Sequence, residues 1–144
     1  MSQYLLDTNI CIFLMRGDAH LQQMVSEVGP SNCFLSEITV AELLYGLANC
    51  PPAHRAFEQA RLDKLLRPFQ PRRVLAISPA LQQYAETKAH LRRLGRLQGE
   101  FDMLIASTAL AYGLTLVTRN GRHFADVAGL VVADWVAGAI EVAE

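Results

Sequence analysis

Two kinds of apolar run alternate along the chain. Short unbroken ones read as strands buried on both faces: Tyr4–Leu6, Cys33–Leu35, Val74–Ile77, the "TLVT" stretch and Leu130–Val132. Between them lie longer stretches with apolar residues at helical spacing. Asn9 to Met15 opens a helix with Thr8 or Asn9 as its cap, and Ala19–Val28 is a second, ended by Gly29-Pro30. "TVAELLYGLA" starts a third near Thr39. Pro51-Pro52 breaks it, and an Arg-bearing helix then runs to about Arg67. Ser78-Pro79 begins the next, with Ser as cap and Pro at the first position. Its spacing predicts that Leu81, Tyr84, Ala85 and Ala89 are buried. "FDMLIASTALAYG" is apolar almost all round and closes at Gly113, which predicts a central, buried helix. Asn120-Gly121 is a turn, and the tail from Trp135 reads as weakly helical.

Strands that alternate with helices, and that are apolar throughout, predict an α/β fold with a parallel sheet covered on both faces. The 144 residues are the size of one domain, so residues 1–144 are read as a single unit. In such sheets ligands bind outside the carboxyl ends of the strands. Asp7 stands at that edge of the first strand.

Composition narrows the class. A hydrophobic share of 51% and a charged share of 19% are ordinary for a globular protein. No apolar run approaches membrane-spanning length, so no membrane is expected. The apolar N-terminus lacks a preceding basic residue and a small-residue cleavage site, and Asp7 interrupts it. These features argue against export and for a cytoplasmic protein. Cys11, Cys33 and Cys50 lack CxxC spacing and read as buried thiols. The net charge of −1 hides an asymmetry: −4 over residues 1–53, +7 over 54–98 and −4 over 99–144. A basic middle rich in Arg between acidic ends suits a polyanion held near an acidic site. A solvated helical face is the ordinary alternative.

Three acids carry the candidate chemistry. Glu42 ends a Thr39-x-x-Glu42 capping box, and Asp102 lies near a helix start that favours a carboxylate. Asp7 precedes a helix start, so each acid alone has a structural explanation. Together, two lie just beyond strands and the third opens a helix that reaches the same edge. Carboxylates so placed repel one another, and a hard divalent cation such as Mg²⁺ or Mn²⁺ keeps them ionised. No phosphate-cradling glycine loop is present, so no nucleotide cofactor is expected.

"LLDTN", "TVAELLYG" and "GEFDMLIASTALAYGLTLVTRNGRHF" together resemble the PIN-domain family, and within it the VapC-type toxins of bacterial or archaeal toxin–antitoxin pairs. The match runs over nearly the whole chain, to the closing "VAGLVVADWV". The resemblance implies a three-layer α/β/α fold with a five-stranded parallel sheet, and a Mg²⁺- or Mn²⁺-dependent endoribonuclease. It also implies a homodimer and a small VapB-like antitoxin that blocks the site. Family members cleave tRNA, often in the anticodon loop, or other structured RNAs. By position, Asp7, Glu42 and Asp102 match the three metal-holding acids, which makes them the catalytic candidates.

One departure stands out. Many PIN domains place a fourth acid after the TLVT-type strand, where this chain has Asn120, and His123 stands where a subset carries Asp or Glu. Thr118 and Asn120 are candidates for orienting a metal-bound water, and His123 for contacting phosphate. Glu100 and Asp126 are nearby acids that could substitute, although an ordinary surface residue is the preferred reading of each. Arg92, Arg93, Arg96, Arg119 and Arg122 are the candidate RNA phosphate contacts, and Tyr45 and Tyr112 are candidates for stacking on bases. A helix surface combining "TVAELLYGLA" with Pro79–Leu94 is the candidate dimer face. Two competing readings use the same acids. In one, Asp7 accepts a phosphoryl group, against which "DTN" lacks a second Asp and the only lysines are Lys64 and Lys88. In the other, the domain is a catalytically impaired PIN scaffold that binds RNA or protein without cleaving.

Overall fold

A computed structural model describes residues 2–136 and the backbone of residues 139–142. The elements run β1 (Tyr4–Leu6), α1 (Thr8–Met15), α2 (Ala19–Val28), β2 (Cys33–Ser36), α3 (Glu37–Ala48), α4 (Arg55–Leu66), β3 (Val74–Leu75), α5 (Leu81–Arg93), α6 (Glu100–Tyr112), β4 (Thr115–Val117), β5 (Val131–Asp134) and β6 (Ala139–Val142). The sheet order is β3-β2-β1-β4-β5-β6. The first five strands pair in parallel, as the apolar runs predict.

β6 departs from expectation. The tail that reads as weakly helical instead adds an antiparallel edge strand, with Ala133 opposite Ile140. Gly138 weakens a helix here, Ile140 and Val142 favour a strand, and the unpaired edge of β5 offers a full ladder of backbone partners.

Each of β1 to β5 serves two cores, because successive side chains point to opposite faces. Leu5, Leu116 and Val132 pack with Leu91, Met103, Ile105 and Ala109 under α5 and α6. Leu6, Val117 and Ala133 pack with Ile10, Leu21, Leu43 and Leu62 under α1 to α4. That double burial explains why the strands lack polar alternation. Tyr4 and Trp135 close one end, with ring centroids 5.3 Å apart in an edge-on pair.

Three local expectations give way to tertiary contacts. α3 starts at Glu37, not near Thr39, because the buried Ser36 hydroxyl at the end of β2 accepts from the Ile38 N–H at 3.0 Å. Thr39 is therefore one turn inside the helix and fully buried. α5 opens with a short 3₁₀ turn at Ser78–Ala80 and no side-chain cap. Its inward residues are Thr87 and Leu91, whereas Leu81 is 50% exposed and Ala85 and Ala89 face water. α6 behaves as read, buried from Ile105 to Ala109 and closed by Gly113 at φ 68°.

Candidate active site

The strand order reverses at β1: β2 and β3 lie on one side, β4 and β5 on the other. Crevices form at such points beyond the carboxyl ends of the strands. Asp7 leaves β1 there, its N–H donating to the Val117 carbonyl at 2.9 Å. The Asp7 backbone is extended and its side chain caps α1, which makes Asp7 the cap in place of Thr8 or Asn9. Oδ1 accepts from the Thr8 N–H and Oδ2 from the Thr118 hydroxyl, each at 2.8 Å. Thr118 follows β4, so this second bond spans the switch point. The Asn120 N–H donates to Thr118 Oγ1 at 3.1 Å. Thr118 is fully buried, and its hydroxyl is directed at Asp7.

Glu42 is delivered by α3. The Thr8 hydroxyl donates to Glu42 Oε1 at 2.7 Å and lies 3.1 Å from Thr39 Oγ1. The capping box is not formed, since Ser36 takes the cap and Glu42 turns to Thr8 instead. Asp102 sits half-buried in the first turn of α6, next to the extended Gly99 that precedes the helix.

These three carboxylates form one electrostatic group. Burial raises the Asp7 pKa above 3.8, the bonds from Thr118 and Thr8 oppose that rise, and the charges of Asp102 and Glu42 add to it. Among the described residues, none of the three carboxylates has an ion pair. The donors are all oxygen, which is the chemistry of a hard divalent cation. The carboxylates are not gathered into a closed cage: among the described residues, no three His, Cys, Asp or Glu side chains form a ready metal set. Mg²⁺ keeps several waters and needs only one or two carboxylates, so the donor chemistry of Asp7, Glu42 and Asp102 suits such an ion.

The remaining candidates are spread around this centre. Asn120, Arg122 and His123 are exposed on the turn and 3₁₀ segment after β4. Arg119 lies over the Phe13 ring of α1, 4.8 Å from its centroid. Arg92 and Arg93 are exposed in the last turn of α5. Arg96 is engaged with Asp126 at 3.1 Å, which occupies both groups. Glu100 accepts from Lys88 at 2.6 Å and from the Tyr84 hydroxyl, and these bonds hold its carboxyl below the usual range. Neither Glu100 nor Asp126 is thus a spare acid for the site. The Tyr112 hydroxyl donates to the Ala76 carbonyl at 2.9 Å, a packing role, while Tyr45 is exposed. Cys11 and Cys33 are buried thiols whose pKa burial pushes up, that of Cys33 to about 11. The sequence offers Thr8 only as a helix cap and gives no sign of Ser36, because short hydroxyl residues near a helix start have so many ordinary uses.

Known proteins resemble the chain over nearly its whole length. The PIN domain model matches residues 4–130. The tRNA(fMet)-specific endonuclease VapC of Shigella flexneri is 33% identical over 138 residues, 94% of this chain and 99% of that protein. A ribonuclease VapC of Haemophilus influenzae is 34% identical over 140 residues, 94% of this chain and all of that protein. The crystal structure of DNA-bound VapBC from Salmonella typhimurium superposes with a TM-score of 0.84 at 29% identity, covering 94% of this chain and 99% of that one. With the acids at the carboxyl edge of a parallel sheet and likeness over nearly its full length, the chain belongs to the PIN-domain family and to its VapC group.

Proposed function

We propose that the chain is a divalent-metal-dependent endoribonuclease, the toxin of a toxin–antitoxin pair whose VapB-like partner neutralises it. The observation that carries the reading is the group of carboxylates Asp7, Glu42 and Asp102 at the switch point, without an ion pair among the described residues. Bound there, Mg²⁺ or Mn²⁺ would supply Lewis acidity toward a phosphodiester. The chain's own part is to hold and aim oxygen ligands. Asp7 is fixed through both oxygens by Thr8 and Thr118, and Glu42 by Thr8. The exposed Arg92, Arg93, Arg119 and Arg122 lend phosphate contacts that carry affinity without sequence preference. His123 is a further candidate for phosphate contact. The proposed substrate is RNA, with tRNA the class first in line.

The direct test incubates purified protein with total tRNA and maps the new ends. Cleavage is expected with Mg²⁺ or Mn²⁺, abolished by EDTA and restored by excess cation. Undiminished cleavage in EDTA would rule out the metal role. No cleavage, with no Mn²⁺ uptake by calorimetry, would favour the non-cleaving scaffold.

A homodimer is proposed on the same reading. α3 leaves Leu44 and Tyr45 exposed, and Leu81 on α5 and Leu94 just beyond it are each about half exposed. Light scattering should return twice 15.9 kDa, and a monomer mass at micromolar concentration would sink the idea.

A further inference from the structure

α3 carries Glu42 to the site, and Gly46 lies one turn on, about 6 Å further along the same helix face. Gly46 has no positive φ, and a Cβ built on it would meet no heavy atom within 4 Å. Neither backbone conformation nor close packing calls for glycine here, although glycine weakens a helix interior relative to alanine. What the missing side chain leaves is space. An open groove of about 430 Å³ runs from Glu42 between α1, α3 and α4, with Gly46, Cys50, Arg16, His54 and Arg61 among its walls.

The walls are suited to a nucleotide. The volume falls in the range of small-molecule sites, and Ile12 and Leu43 give it an apolar side. Arg61 is fixed in place, donating from Nε and Nη2 to the Met15 carbonyl at 3.1 and 2.8 Å and from Nη1 to Glu58 at 3.2 Å. Arg16, at the end of α1, is exposed and has no ion pair among the described residues. Arginine can meet a phosphate with its edge or a base with its face. Unpaired bases of RNA are held in this manner, splayed into pockets beside a bound backbone.

We propose that this groove is the subsite for the unpaired nucleotide next to the scissile phosphate. Gly46 keeps it open, and Arg16 meets the adjoining phosphate or base. The inference rests on the ribonuclease reading and adds to it a specificity-determining position outside the carboxylates. A side chain at position 46 would fill the groove without touching the Asp7 hydrogen bonds.

The test compares wild-type protein with Gly46→Leu and Gly46→Ala on total tRNA, with mapped cleavage ends, KM and kcat. Mn²⁺ affinity and the thermal midpoint are measured beside them. Gly46→Leu is expected to raise KM at least tenfold or to move the cleavage sites, with Gly46→Ala intermediate. Mn²⁺ affinity should stay within twofold of wild type. Unchanged KM and cleavage sites would overturn the subsite and leave the groove to a protein segment. Weakened Mn²⁺ binding in step with activity would also overturn it, because the added side chain would then be acting on the carboxylates. Should Gly46→Leu fail to fold, Gly46→Ala decides: a raised KM or moved cleavage sites with unchanged Mn²⁺ affinity supports the subsite, and KM and cleavage sites equal to wild type overturn it. A wild-type protein inert towards tRNA would fail the ribonuclease reading first, before any variant is compared.

Discussion

Asp7→Asn should abolish cleavage and at the same time make the metal-free protein more resistant to heat at neutral pH. The two effects have one cause. Burial raises the Asp7 pKa above 3.8, with the charges of Asp102 and Glu42 adding to the rise. The folded protein thus holds this proton more tightly than the unfolded chain does. Stability from this group is fully present below pH 3.8 and is lost as pH climbs through the raised value. Asparagine keeps the shape and the cap on Thr8 but carries no charge to strand. In EDTA the variant's thermal midpoint should exceed that of wild type at pH 7 and converge with it near pH 3. Mn²⁺ should reverse the order, since a ligand at a hundred times its Kd stabilises the folded state by about 2.7 kcal/mol. Outer-shell partners of a metal site cost about 10–100-fold in affinity or activity, so removing the ligand itself should cost at least that in cleavage. A wild-type rate in folded Asp7→Asn would remove Asp7 from the mechanism. A midpoint below wild type at pH 7 in EDTA would show that its charge is compensated in the fold.

Thr118→Val is the second large effect. Thr118 is fully buried, donates to Asp7 Oδ2 and accepts from the Asn120 N–H. Valine matches its shape and leaves both partners unsatisfied, a cost of about 1–3 kcal/mol. The lost bond is one that lowers the Asp7 pKa, so the acid limb of the cleavage profile should move to higher pH. A fall in kcat/KM of about 10–100-fold is expected from a partner that orients a ligand. Thr118→Ser keeps the hydroxyl and should recover most of it, whereas a purely packing role would leave Ser as impaired as Val. An unchanged pH profile in Thr118→Val would dismiss the positioning role.

The parallel sheet was legible because its strands are buried on both faces and advertise this as unbroken apolar runs. Asp7 was legible for the same reason: a carboxylate directly after Leu5 and Leu6 must lie where the sheet ends. Glu42 was obscured by the Thr39 box, which has the right spacing for a cap. Which hydroxyl caps α3 depends on where β2 stops, a tertiary fact that no local pattern contains. The inward face of α5 was misread because Leu81, Ala85 and Ala89 keep helical spacing on the side turned away from α6. Periodicity reports an apolar stripe, not what covers it. That Glu100 and Asp126 are engaged is invisible locally, because their partners Lys88 and Arg96 are 12 and 30 residues away in the chain. The 3.5–4-residue grammar of a single helix cannot express such pairs.

β1 is only three residues long, yet Leu5 enters one core, Leu6 the other, and Asp7 follows at once. A strand this short has no slack. One residue inserted or deleted before Asp7 would exchange the two leucines between cores and turn the carboxylate away from Thr118. Length variation in relatives of this chain should therefore collect in connections such as the one between α3 and α4, while the count of residues from Tyr4 to Asp7 stays constant. Chain length here acts as an aiming device, and its tolerance is zero.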